Sequence, residues 1–322
     1  MHLRIPKILQ THHFLRPYIQ TTPLIRSPFL SRLSGADVWL KLENWQPTGS
    51  FKVRGALSKI GRLSPAQREK GVVAASAGNH ALGVAYAAEQ LGLARADLFV
   101  PASAPRAKVD KLAHYPVTLH QSGDNYEAAH QAAAQFAAET GALEISAYDD
   151  LEVIAGQATV GVEIFQQRPQ ADALLVPVGG GGLIAGIATV AAAFSPTCRV
   201  IGVQPEASPA ALLSLRDGVA YDPFDHEPTL ADGLAGGFGA IPFALARDLI
   251  HDVLLASEAA LRRAIFTLAD RHQLLVEASG AIAIAPLLTQ QIDLTGLTVV
   301  CVLSGGNLET AVLRDIFVES GD

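Results

Sequence analysis

The chain of 322 residues carries 24 Lys and Arg against 31 Asp and Glu, for a formal net charge of −7. That balance, with no basic block anywhere, excludes the electrostatic footprint of a nucleic-acid or anionic-membrane partner. With 49% hydrophobic and 17% charged residues, the chain can bury a large core in one to three domains.

The first fifteen residues contain Arg4, Pro6, Lys7, His12 and His13. They hold no apolar run of the kind a signal peptide needs, so a soluble, cytoplasmic protein is expected. The first predicted strand, residues 38–42, leads into a turn at Pro47 and Gly49, after which Ser50 can cap a helix running from Phe51. Lys52 then sits in the first turn of that helix, where the dipole and desolvation both lower an amine's pKa. A neutral lysine is what Schiff-base chemistry needs. Read alone, a lysine beside a turn is a solvated surface residue.

Residues 72–75 read as a second strand, and Ser76-Ala-Gly-Asn-His80 follows it to open a helix over 81–91. The N–H groups of this loop and the Ser76 hydroxyl suit a carboxylate, and Asn79 suits a phenolate oxygen. An ordinary helix cap explains the same residues equally well. Strands over 96–100 and 117–120 and helices over 126–140 and 155–167 continue the alternation.

Residues 173–194 are uncharged throughout, long enough to span a bilayer, but Pro177 and four successive glycines interrupt them. A buried strand, a loop and a buried helix are expected instead, with no membrane partner. Gly179, Gly180, Gly181 and Gly182 let a backbone approach an anion closely at a helix start, which points to a phosphate. The same run holds a dinucleotide-type Gly180-x-Gly182 pattern. That alternative wants an acid at the end of the next strand, residues 200–203, which instead runs into Gln204, with Glu206 two positions on. A helix over 257–272 and a strand over 298–303 follow. Ser304 comes directly after that strand, placed either to bond a heteroaromatic nitrogen or to cap a helix. Cys198 and Cys301, far apart and flanked by apolar residues, read as reduced core cysteines.

Strands alternating with helices of these lengths imply βαβ units and parallel sheets. Three strand-end loops rich in Gly, Ser or Asn, at 76–80, 179–182 and 304–307, are expected to converge on one cleft.

In this order the segments resemble the fold-type II pyridoxal-phosphate enzymes, and specifically the threonine/serine dehydratase and serine racemase group. The resemblance covers nearly the whole chain and includes Val153-Ile-Ala-Gly-Gln-Ala-Thr159, Leu230-Ala-Asp-Gly-Leu234 and Val276-Glu-Ala-Ser-Gly-Ala281. Related sulfhydrylases and threonine synthases typically carry Asp after the lysine, where this chain has Val53, Arg54 and Gly55. The resemblance implies an α/β fold of two open twisted parallel-sheet domains, tryptophan synthase β-like. The smaller domain (51–149) would be inserted in the larger (1–50 and 150–322). It implies pyridoxal 5'-phosphate held by Lys52 as a Schiff base, with Phe51 against the ring and Asn79 at its phenolic oxygen. Gly179 to Gly182 would hold the phosphate and Ser304 would meet the ring nitrogen. Ser76, Ala77, Gly78, Asn79 and His80 would receive the substrate carboxylate.

The implied activity is a lyase of the L-threonine/L-serine ammonia-lyase type, with Lys52 as the catalytic base. Water would be eliminated from a small hydroxy amino acid to give a 2-oxo acid and ammonium. A racemase or β-replacement enzyme is the alternative. Serine racemases carry a second hydroxyl where this chain has Ala77, and racemisation needs an acid or base opposite the lysine, so dehydration is favoured. Metal-dependent relatives place carboxylates in the segment where this chain has Gln204, Glu206 and Ala210, so no divalent metal is expected there. A homodimer is a further implication. The end of the chain soon after the Ser304 loop suggests a catabolic role without a regulatory domain. Trp45, Ala158 and Phe238 are the residues expected to vary the substrate pocket or its lining, Phe238 otherwise packing in the core.

Overall fold

The computed structural model describes residues 2–104 and 106–320, and their strands fall into two sheets. In chain order the strands are β1 (Leu24–Arg26), β2 (Asp37–Leu42), β3 (Val72–Ala75), β4 (Ala96–Val100), β5 (Thr118–Gln121), β6 (Leu143–Glu144), β7 (Ala173–Pro177), β8 (Arg199–Pro205), β9 (Asp252–Ala256) and β10 (Thr298–Leu303). The larger sheet has the order β1-β2-β10-β7-β8-β9, and the smaller one β5-β4-β3-β6. Every pairing is parallel except that of β1 with β2. The chain leaves the larger sheet after β2, builds all of the smaller one, and returns at β7.

Apolar periodicity explains which strands the sequence makes visible. β3, β4 and β7 are buried at every position, as strands covered on both faces must be. β3 and β7 read as uninterrupted apolar runs, and β4 buries one carboxylate, Asp97, against Arg95 and His120. Alternate residues of β10 serve two different cores. Val299, Cys301 and Leu303 pack with Leu40, Ile282 and Leu287 on one face, while Val300 and Val302 pack with Val176 and Ile184 on the other. β3 does the same in the smaller sheet, with Val72 and Ala74 on one side and Val73 and Ala75 on the other.

The predicted strands over 72–75, 96–100 and 298–303 have those limits in the structure. The 117–120 strand is shifted by one residue, and the 200–203 strand runs longer at both ends. β1, β6 and β9 are not among the predicted strands. All three lie at sheet edges, where one or both faces stay partly wet. The uncharged run 173–194 is β7, a loop and the helix Gly182–Phe194. Among the described residues no helix is long and apolar enough to cross a membrane. Both cysteines are buried and free, and burial pushes the Cys198 thiol up to about 12.

The helix Lys52–Ile60 packs against Asn79–Gln90, which follows β3, and against Leu151–Gln167, which leads back to β7. It therefore bridges the elements of the two sheets. Its close approach to Leu151–Gln167 depends on paired glycines. A Cβ on Gly156 would lie 2.4 Å from the Arg54 carbonyl, and one on Gly55 would lie 2.3 Å from the Gln157 amide.

Candidate active site

The carboxyl ends of β2, β10 and β7 are neighbours in the larger sheet, and each leads into a loop singled out by sequence. The loop after β2 is sewn to the loop after β10 by backbone bonds. Phe51 N–H donates to the Ser304 carbonyl at 3.0 Å, Gly306 N–H donates to the Gly49 carbonyl at 2.8 Å, and Ser50 bridges Gly305. Ser50 thus takes a strand-like role and does not cap the helix. The residue before the helix is Phe51, and the Ser50 hydroxyl is buried without a hydrogen-bond partner among the described residues.

Lys52 opens the helix with its Nζ 5.2 Å from the centre of the Phe51 ring, and donates to the Ala147 carbonyl at 3.0 Å. Desolvation pushes its ammonium down to about 8, against the pull of the Glu277 carboxylate. An amine in that range is available as a base or nucleophile near neutral pH.

The glycine loop closes the next side. A Cβ on Gly180 would sit 2.2 Å from the Tyr148 ring, and one on Gly181 would sit 2.3 Å from the Phe238 ring at a backbone φ of +90°. Only glycine fits either position. Gly181 is the residue before a 13-residue helix, whose first N–H groups have no acceptor inside the helix. That is a cradle for an anion. Phe238 is fully buried beneath it, packed edge-on against Phe243, so it belongs to the core.

From the smaller sheet, β3 delivers the loop 76–80. The Ser76 hydroxyl accepts from Gly78 N–H at 3.1 Å, so it shapes the loop. Space around Gly78 is open to 4 Å, and Ala77 packs against the core of the smaller sheet. Asn79 Nδ2 donates to Glu277 Oε1 at 2.6 Å, and its Oδ1 accepts from Asn307 Nδ2 at 2.6 Å. His80 is buried with Nε2 2.7 Å from the Ile145 carbonyl. Burial first, and the Lys52 charge second, hold it down to about 4. It is neutral near pH 7 and donates to that carbonyl.

Ser304 is buried and its hydroxyl donates to the Ser279 carbonyl at 3.3 Å. Every predicted site residue therefore lies on one of the loops that meet around Lys52. Four contributors went unassigned in the sequence. Glu277 and Asn307 stand inside quoted motifs without a role. Ala147 and Tyr148 lie in an irregular stretch after β6 that carries no motif at all.

Gln204 Nε2 donates to the Val178 carbonyl at 3.3 Å, and its Oε1 caps the helix Ala210–Asp217 through Ala211 and Leu212 N–H. Among the described residues no group of three or more His, Cys, Asp or Glu is arranged to hold a metal. Trp45 is half exposed, in a short 3-10 turn after β2.

A family model described as pyridoxal-phosphate dependent enzyme matches residues 15–305. The L-threonine ammonia-lyase of Geobacter sulfurreducens is 43% identical over 310 residues, covering 95% of this chain and 76% of that protein. The catabolic L-threonine dehydratase of Escherichia coli K12 is 37% identical over 315 residues, covering 97% of this chain and 95% of that protein. Maize serine racemase superposes with a TM-score of 0.90 at 30% identity, over 98% of this chain and 97% of that one.

Proposed function

This chain belongs to the pyridoxal-phosphate-dependent enzymes, and within them we propose that it is a threonine/serine dehydratase-like ammonia-lyase. It eliminates water from a small hydroxy amino acid and releases a 2-oxo acid and ammonium. The observation that carries the reading is the Lys52 amine, brought down to about 8 where four loops meet. The residues around it fit the cofactor: an amine for the carbonyl, a glycine-walled anion cradle, the Asn79 amide and the Ser304 hydroxyl.

Bound pyridoxal phosphate supplies an electron sink conjugated to the substrate amine, which acidifies the Cα proton. Lys52 would hold the cofactor through its amine, and the same amine, when free, would take that proton. Gly179, Gly180, Gly181 and Gly182 hold the phosphate with backbone N–H groups, and Phe51 flanks the ring. Asn79 serves the phenolic oxygen. The Ser304 hydroxyl meets the ring nitrogen as a neutral partner and so limits charge build-up on Cα, which suits elimination. Ser76, Gly78, Asn79 and His80 receive the substrate carboxylate, His80 as a neutral ring that holds the loop to Ile145. Ala77 offers a methyl group, which moves no proton.

The same reading takes 1–50 and 150–322 as one domain and 51–149 as a smaller one inserted in it. It also takes the protein to be cytoplasmic, homodimeric and active on serine as well as threonine. Sedimentation of the purified protein at micromolar concentration checks the dimer.

The decisive assay incubates the reconstituted protein with L-threonine and L-serine and follows 2-oxo acid. Sustained oxo-acid release is expected. Silence on every β-hydroxy amino acid tried would sink the lyase reading. Racemisation is the second reading, favoured by the likeness to maize serine racemase and opposed by Ala77. Chiral analysis of the recovered amino acid separates the two.

A further inference from the structure

Behind Lys52 lies a second set of charges that the proposed chemistry does not use. Arg54 is fully buried. Its Nε and Nη2 donate to Glu43 Oε2 and Oε1, each at 2.8 Å, a fork on a fork. Its Nη1 donates to Glu163 Oε1 at 2.8 Å and to Thr159 Oγ1 at 3.0 Å. Lys41 Nζ donates to Glu163 Oε2 at 2.6 Å and to the Thr22 carbonyl at 2.7 Å. Thr22 completes the set, its hydroxyl donating to Glu43 Oε1 at 2.6 Å.

Two cations and two carboxylates are thus buried together. Replacing such a set with apolar side chains is often neutral or stabilising, so stability is a weak account of it. Its placement is more informative. Residues two apart on a helix point about 200° from each other, so Arg54 faces away from the cleft that Lys52 faces. Lys41 and Leu42 pair in register with Val302 and Leu303, immediately before Ser304. The charges therefore tie the Lys52 helix to the strand pair that presents Ser304, and through Glu163 to the helix Leu151–Gln167. A planar guanidinium held on both edges resists rotation of its helix, which a point charge does not.

We propose that the buried quartet Lys41, Glu43, Arg54 and Glu163 is a positioning device for Lys52, with Arg54 as its pivot. The inference deepens the functional reading above and rests on it. Arg54 touches no reacting atom; it acts by fixing how far and in what direction the Lys52 amine reaches from the helix. The groups that face Lys52 itself are Glu277 and His80, and His12 faces the quartet from the helix Ile5–Leu15.

The test uses Arg54→Lys, which keeps the charge and loses the fork. Beside it stands Thr159→Val, which removes one hydrogen bond to Arg54 and leaves all four charges. Wild type and variants are reconstituted with pyridoxal phosphate. The readouts are the rate at which Lys52 captures it, the pH titration of the resulting absorption band, the thermal midpoint, and kcat separately from KM. Arg54→Lys is expected to slow capture by about tenfold or more, move the titration midpoint and lower kcat more than KM. Thr159→Val is expected to move the same readouts the same way, by about threefold.

Folded variants with a lower thermal midpoint but unchanged capture and titration would overturn the proposal and leave the quartet purely structural. Where Arg54→Lys fails to fold, Thr159→Val decides by the same criteria. A wild-type chain that captures no pyridoxal phosphate overturns the functional reading instead, and the positioning role with it.

Discussion

The two faces of the helix Lys52–Ile60 treat buried positive charge in opposite ways. On the cleft face, Lys52 gives its hydrogen bond to a carbonyl, Ala147, while Glu277 acts on it through space, and desolvation pulls the amine down to about 8. On the rear face, desolvation is outweighed by Glu43 and Glu163, and the Arg54 guanidinium is held more firmly charged than in water. Arg54, the more deeply buried of the two, stays charged because two carboxylates, Glu43 and Glu163, accept its hydrogen bonds. One helix thereby presents an amine of lowered pKa on one side and a fixed cation on the other. A lysine in the Arg54 position would keep the charge and lose the two-edged fork, and an arginine in the Lys52 position could not give up its proton.

Removing the front of that comparison has the largest expected effect. Lys52→Ala should abolish the absorption of the bound cofactor and lower oxo-acid formation by about 10³-fold or more. Ordinary turnover by this variant would mean that another group is the base.

Breaking the rear comes next. Glu43→Gln leaves Arg54 buried with half of its fork facing a neutral amide. Urea unfolding should show a loss of about 3–5 kcal/mol. A loss below about 1 kcal/mol, the value of an exposed pair, would show that water reaches Arg54 in solution.

The smallest effect sharpens the front. His80 is held down to about 4 by burial and by the Lys52 charge, against about 6.5 when unfolded. Between those two pH values the unfolded chain binds the extra proton and the folded chain does not. Stability from this group is therefore complete above pH 6.5 and falls as pH drops toward 4, by up to about 3 kcal/mol. Urea midpoints measured across that window should decline, and His80→Gln should flatten the decline attributable to this ring. A variant with the unchanged slope would assign the acid sensitivity elsewhere.

Much of the fold was legible because burial on both faces leaves a one-dimensional trace. Val72–Ala75 is wholly apolar, and Ala96–Val100 and Thr298–Leu303 carry one polar residue each, so a periodicity reading finds all three. Leu24–Arg26, Leu143–Glu144 and Asp252–Ala256 escaped because an edge strand is defined by the neighbour it pairs with, not by its own composition. In the site, the glycines and Lys52 were visible as motifs, whereas the carbonyl that Lys52 meets is 95 residues away in sequence. Asn79 and Glu277 are 198 apart. Ser50 misled for the same reason: its local pattern is a cap, but its partner is Gly305 from the far end of the chain.

The amino-acid sequence by itself therefore determined the alternation of strands and helices, the four-glycine loop and the presence of a lysine at a helix start. Those features depend on residues close together along the chain, through periodicity, backbone freedom and the helix dipole. Tertiary structure alone decided that the Lys52 amine would be brought down to about 8 and that Arg54 would stay a fixed cation. A pKa is set by the solvent removed and the charges brought near, and both come from segments that only the fold makes neighbours.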